Sequence, residues 1–239
     1  MNNKRKCYDI LYEYGGKREK REKKEKKDDK KKNDDDSSSD GSSENDLLNL
    51  FGKGGKGSKD AKIERDNNHI YFHSEVDRES IFELIMLIKE AEEESVITSF
   101  KLNIETIPIY LHISSFGGSI FAAFSAIDVI KACRVPVHTI IEGSTASAGT
   151  LISIVGKKRY IRPNAYMLIH QLSSGCWGKM SEIEDEFKNL QELMEKIKEI
   201  YKEYTVIPKK ELTDLLKHDL WLNSDKCIKY GLVEEIWDK

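Results

Sequence analysis

Between residues 107 and 141 the sequence runs from strand to glycine turn to apolar helix to strand with almost no slack. Ile107–Ile113 is dense in β-branched residues and leads straight into Ser114-Ser-Phe-Gly-Gly-Ser119. Ile120–Cys133 is helical and mostly apolar, and Val135–Ile141 is again a nearly continuous apolar strand. Strands that are apolar on both faces fit a sheet covered on both sides, and a helix between two of them is the usual crossover of a parallel pair. This unit predicts an α/β fold with a mainly parallel sheet.

The flanking segments extend the same alternation. Ile70–Phe72 reads as a short strand. Ile81, Leu84, Ile85 and Ile88 recur at helical steps and predict an amphipathic helix ending near Glu94, which leaves Ser95–Thr106 as a long connection. A short apolar helix over Thr150–Val155 is followed by strands at Tyr160–Ile161 and Tyr166–Ile169. Ser181 and Glu184 form a capping-box pattern. The helix it opens carries Ile183, Phe187, Leu190, Met194, Ile197, Tyr201 and Tyr204 as one stripe, long enough to outreach the core of its own domain.

Composition divides the chain in two. Of 239 residues 34% are charged, but residues 1–60 hold 17 Lys+Arg and 14 Asp+Glu with few large apolar side chains. Such a segment buries too little apolar area to offset its ordering entropy. We therefore read residues 1–61 as a disordered charged extension and linker, and 62–239 as one domain. Glu19, Glu22 and Glu25, interleaved with the lysines, argue for a solvated tail over a nucleic-acid contact.

Several classes fall away. No apolar run reaches the ~18–20 residues of a bilayer span, so no membrane association is expected. The N-terminus shows neither a secretory h-region nor an acid-poor transit peptide. Cys7, Cys133, Cys176 and Cys227 are widely spaced without a C-x-x-C pair, which argues against both a disulfide framework and a zinc site. A cytoplasmic protein with reduced thiols is the expectation, with no metal or other cofactor and no nucleic-acid partner.

Three polar residues stand in apolar surroundings. Ser147 lies in the small-residue run Ser144–Gly149 between a strand and a helix, where a helix N-terminus supplies backbone N–H groups for an oxyanion. His170 ends a strand, a natural place for a general base. Asp219, between Leu215–Leu216 and Leu220–Trp221, is a carboxylate that needs a hydrogen-bond partner in so apolar a setting. Gly117–Gly118 alone reads as a tight turn. The residues by themselves point to a hydrolase, since a triad is defined by geometry and not by chain order.

Four motifs carry a resemblance to the proteolytic subunit of the Clp protease family. Tyr110-Leu-His-Ile-Ser-Ser-Phe-Gly-Gly-Ser119 resembles its Y-I-N-S-P-G-G-S turn, and Gly143-Ser-Thr-Ala-Ser-Ala-Gly149 its G-x-A-A-S-M-G segment. Arg162-Pro-Asn-Ala-Tyr-Met-Leu-Ile-His-Gln171 resembles the histidine strand, and Asp219-Leu-Trp-Leu-Asn-Ser with Tyr230-Gly-Leu-Val-Glu234 resembles the family's ending. The resemblance implies a ClpP/crotonase-like α/β fold with a protruding handle helix. It implies Ser147 as nucleophile, His170 as general base, Asp219 as the residue orienting His170, and the N–H groups of Gly118 and Ala148 as the oxyanion hole. Substrate polypeptide would pair as an extended strand with Gly117–Gly118 on one side and the segment from Gln171 and Leu172 to Gly178 on the other. Two stacked heptameric rings and an AAA+ unfoldase ATPase partner are implied in the same way.

The sequence also departs from the family pattern. Phe116 and Leu172 stand where prolines are usual, Ser144, Thr145 and Ala148 replace common residues around the nucleophile, and residues 1–60 replace a short pore loop. None removes a triad member, which weighs against a catalytically dead scaffold. Crotonase-like acyl-CoA enzymes share the broad fold but do not need the Ser147–His170–Asp219 set. A Ser–Lys peptidase would need Lys157 or Lys158 in a context that neither has.

Overall fold

A computed structural model describes residues 62–238; the charged extension read at 1–61 lies outside the described residues. Chain contacts divide the protein into two compact units. The larger comprises residues 60–172 and 190–239, and the smaller includes 173–189.

The larger unit is built on an eight-stranded sheet. Strands β1 (Lys62–Asp66) and β2 (His69–His73) form an antiparallel hairpin, and β2 lies parallel to β3 (Ile109–Ser115). Next comes β4 (Val137–Ala146), also parallel, reached through helix α2 (Ile120–Ala132). The predicted strand–helix–strand unit is therefore present. β4 runs five residues beyond Ile141 and serves two neighbours. Its first part pairs with β5 (Arg159–Ile161), and its last residues, Ser144 to Ala146, pair with β6 (Tyr166–Leu168). Helix α3 (Ala148–Ile154) lies between β4 and β5 in the chain. The central strands are covered on both faces: Ile140 and Ile141, which point to opposite sides of the sheet, are both fully buried, as are Leu111 and Ile113.

Helix α1 (Arg78–Leu102) corrects the expected stop near Glu94 by two turns. Asp77 caps it by accepting from Ser80 N, and Asn103 ends it in the left-handed conformation. The β-branched run Val96-Ile-Thr98 lowers helix propensity but does not break the helix. Buried Ser95 holds the added turns, since its hydroxyl donates to Ile107 O and accepts from Ile107 N, each at 2.8 Å.

Helix α4 (Met180–Tyr204) starts in the smaller unit and ends in the larger. Its start also differs from expectation. Glu182, not Ser181, closes the first turn, by accepting from Lys179 N at 2.9 Å. Along the stripe, Ile183 and Phe187 are exposed whereas Ile197 and Tyr201 are buried. Four short elements complete the larger unit: α5 (Lys209–Leu215), β7 (Trp221–Asn223), α6 (Ser224–Lys229) and β8 (Glu235–Ile236). β7 runs antiparallel to β6, and β8 extends the sheet beside β5.

Candidate active site

The small-residue run builds a sharp corner. β4 ends at Ala146, α3 begins at Ala148, and the single residue between them, Ser147, adopts φ 54° and ψ −127°. A non-glycine residue holds such a conformation only where its surroundings over-determine it. Ser147 N–H donates to Leu168 O at 3.0 Å, while Thr150 N and Thr150 Oγ1 both donate to Ser147 O, at 3.0 and 2.6 Å. Ala148 is the first residue of α3, so its N–H has no acceptor within the helix.

Gly117 and Gly118 lie against this corner. Their φ values are +94° and +144°, which L side chains rarely adopt. A Cβ at Gly117 would sit 2.6 Å from Ser147 Cβ and 3.0 Å from Ala148 N. Gly118 forms an isolated parallel bridge with Val76, in which Val76 N donates to Gly117 O and Ser119 N to Val76 O. In that pattern the peptide groups flanking Gly118 serve Val76, and the N–H of Gly118 points the other way. Gly117 N–H is held by Ser115 Oγ at 3.2 Å. Val76 and Ser115 are the parts of this site that the sequence did not single out. No local signal marks Val76, since its role is a contact across 42 residues of chain.

His170 lies two residues past β6, the strand whose Leu168 carbonyl receives Ser147 N–H. Its Nδ1 is 3.1 Å from Asp219 Oδ1. Asp219 departs from its expected apolar setting: its side chain is 77% exposed, and the neighbouring Leu220 and Trp221 are exposed as well. The reason is local. Asp219 falls in the short irregular link between α5 and β7, and the apolar residues before it, Leu212 and Leu216, turn inward without it. The structure thus joins His170 to Asp219 and joins the Ser147 backbone to the histidine strand. Among the described residues the Ser147 hydroxyl makes no hydrogen bond.

Gln171 and Leu172 follow directly. Gln171 N–H is engaged by Leu216 O at 2.6 Å and Leu172 N–H by Met194 Sδ at 3.4 Å. Phe116, 75% exposed, meets Trp221 edge-on with ring centroids 6.4 Å apart. That contact links the residue before Gly117 to the strand after Asp219.

A second polar cluster occupies the sheet at β2–β4. His112 Nδ1 donates to Glu142 Oε1 at 2.9 Å, so the neutral ring accepts at Nε2, where His69 Nδ1 lies 2.9 Å away and must carry the proton. Arg162 Nε donates to the same Glu142 oxygen at 3.2 Å, and His73 Nε2 faces its other oxygen at 3.6 Å. Burial holds His112 below the ordinary imidazole range, the Glu142 hydrogen bond opposing it only in part. Burial alone would raise the Glu142 carboxyl, but His112 and Arg162 outweigh it and hold it below the ordinary range. The two directions agree: a neutral imidazole donates to an ionised carboxylate.

A family model described as Clp protease matches residues 64–239. Among curated proteins, ATP-dependent Clp protease proteolytic subunit 2 of Treponema denticola is 38% identical over 133 residues, and that of Treponema pallidum 32% over 134. The ATP-dependent Clp protease proteolytic subunit of Deinococcus radiodurans is 29% identical over 133. Each alignment covers 55% of this chain and 66%, 67% and 65% of the respective relative, so the similarity spans about two thirds of their lengths. Among solved structures, a point mutant of ClpP1 from Listeria monocytogenes superposes with a TM-score of 0.63 at 26% identity. It covers 73% of this chain and 93% of its own. Among the described residues, no helix is long and apolar enough to cross a membrane.

Proposed function

The chain belongs to the Clp protease family, and on that premise we propose that it is a serine endopeptidase working through Ser147, His170 and Asp219. Ser147 Oγ attacks the scissile carbonyl and His170 takes its proton, then returns it to the leaving amine. Asp219 holds the imidazole in the tautomer with Nδ1–H and offsets the charge it gains. The N–H groups of Gly118 and Ala148 receive the oxyanion; each such donor is worth on the order of 3 kcal/mol. Water then repeats the cycle on the acyl-enzyme and releases the acid.

The observation that carries this reading is the corner at Ser147. A strained residue at the head of a helix, pressed against two glycines with positive φ and tied to the strand that leads to His170, is costly to maintain. Packing alone gives no reason for it. The open Ser147–His170 pair fits a free enzyme, since catalytic hydrogen bonds often close only around substrate.

Substrates are unfolded polypeptides, bound as an extended strand between Gly117–Gly118 and the chain at Gln171 and Leu172. Backbone pairing of this kind reads few side chains. Assembly into two stacked heptameric rings fed by an AAA+ unfoldase in the cytoplasm is the family arrangement we extend to this chain. The exposed apolar residues of α4, Ile183 and Phe187, support a subunit contact there.

One observation favours a second reading, a weakly active or inactive ring subunit: the openness of Asp219 to solvent, which screens its hold on His170. Peptide hydrolysis by the purified chain, sized by light scattering and compared with Ser147→Ala, separates the two. Turnover lost in Ser147→Ala supports the peptidase; an intact oligomer that cleaves no peptide supports the scaffold.

A further inference from the structure

Two residues outside the triad converge on the Ser147 peptide group. Thr150 has one hydroxyl proton, and it is committed to Ser147 O at 2.6 Å. The 2.6 Å contact between Thr150 Oγ1 and Tyr201 Oη must therefore be donated by the tyrosine. Tyr201 is 1% exposed on the buried part of α4, among Ile197, Ile200 and the core. A phenol in such a place costs free energy unless it is hydrogen-bonded, and a phenylalanine would fill the same volume without that cost. A satisfied core tyrosine is the plain explanation. What goes beyond it is where the line of hydrogen bonds ends, at the carbonyl of the one strained residue in the site.

The carbonyl of Ser147 and the N–H of Ala148 belong to one planar trans peptide. Whatever fixes the first sets the direction of the second. We propose that Thr150 and Tyr201 are positioning residues: the line from Tyr201 O–H through Thr150 Oγ1–H to Ser147 C=O orients the Ser147–Ala148 peptide, and so aims Ala148 N–H at the developing oxyanion. The inference rests on the peptidase reading, which assigns Ala148 N–H that task. It adds that a hydroxyl on α4 reaches the catalytic centre through two hydrogen bonds and one rigid plane. Misaiming a donor by a fraction of an ångström weakens the transition state more than substrate binding, because the hydrogen bond matters most where charge develops.

The test uses the full chain with Tyr201→Phe, Thr150→Val, Thr150→Ser and the Tyr201→Phe/Thr150→Val double variant. Steady-state hydrolysis of a fluorogenic peptide, the rate of reaction with a fluorophosphonate, thermal melting and light scattering are measured on each. For Tyr201→Phe we expect kcat to fall about tenfold with KM within about twofold, and for Thr150→Val a fall of about a hundredfold. Thr150→Ser keeps the hydroxyl and should stay within about threefold of the parent. The double variant should be no worse than Thr150→Val, since the tyrosine acts through the threonine. A lower melting temperature with kcat and labelling rate unchanged reduces both residues to core packing and overturns the inference, as does a loss carried by KM or a fully additive double variant. Should Thr150→Val fail to fold, Tyr201→Phe, which removes one oxygen, decides alone. Normal labelling of the parent with unaffected variants defeats this inference only; a parent that neither labels nor cleaves defeats the peptidase reading and this inference with it.

Discussion

Gly118 and Val76 form a single parallel bridge in which Val76 commits its N–H and C=O to Gly117 and Ser119, leaving the N–H of Gly118 turned away. A Cβ at position 118 would collide with the Val76 carbonyl oxygen, and the backbone there has φ +144°. Gly118→Ala must therefore break the bridge or bend the turn. We expect a loss of kcat of about 10²–10³-fold, the usual cost of losing one oxyanion donor. Peptide hydrolysis measures it, and activity within about threefold of the parent would remove Gly118 from the site.

Asp219→Asn tests the orienting role. The amide presents a donor where His170 Nδ1–H needs an acceptor, and the wrong tautomer leaves Nε2 unable to take the serine proton. Turnover is expected to fall between about 10²- and 10⁴-fold, with oligomer size unchanged. The smaller end follows if solvent screening has already weakened this exposed pair. Full activity would move the role to another carboxylate, with Asp214 the nearest in sequence.

The polar cluster at β2–β4 sets a slope of stability with pH. His112 has its native value below the ordinary 6.5, so below about 6.5 the unfolded chain takes up a proton that the folded chain refuses. Glu142 has its native value below the ordinary 4.5, so its contribution is present above that pH and fades as pH falls through the native value. Both make the fold less stable on acidification. The melting temperature should drop between pH 7.5 and 5.5, and His112→Gln should flatten that drop. A rise on acidification contradicts the assignment.

Phe116 and Trp221 meet at 6.4 Å and 83°, an edge-on aromatic geometry. Proline at 116 would stiffen the turn through its own ring; here packing against Trp221 supplies restraint from outside. A double-mutant cycle of Phe116→Ala and Trp221→Ala, followed by chemical denaturation, should give a coupling of about 0.5–1 kcal/mol, the low end for aromatic pairs because both rings are exposed. Strict additivity would show that the contact restrains nothing.

The central α/β unit was legible because its signals are local: Leu111, Ile113, Ile140 and Ile141 lie in largely apolar stretches, and such stretches fit a sheet covered on both faces. Ser147 and the two glycines were legible for a similar reason, since small residues cluster where chains approach closely. The misjudged parts depend on contacts between distant segments. α1 outlasts Glu94 because Ser95 finds Ile107, and neither residue announces the other. Asp219 looked buried because its neighbours in sequence are apolar, but Leu212 and Leu216 turn inward while Leu220 and Trp221 do not. The bridge to Val76 and the line from Tyr201 to Ser147 O likewise join residues far apart in the chain.

The most direct test of the central claim is to map the covalent adduct. The purified chain is treated with a fluorophosphonate, digested, and the modified peptide sequenced by tandem mass spectrometry. The expected result is a single adduct on Ser147, lost in Ser147→Ala and formed far more slowly in His170→Ala. An adduct on any other residue, or labelling that persists in Ser147→Ala, would contradict the account.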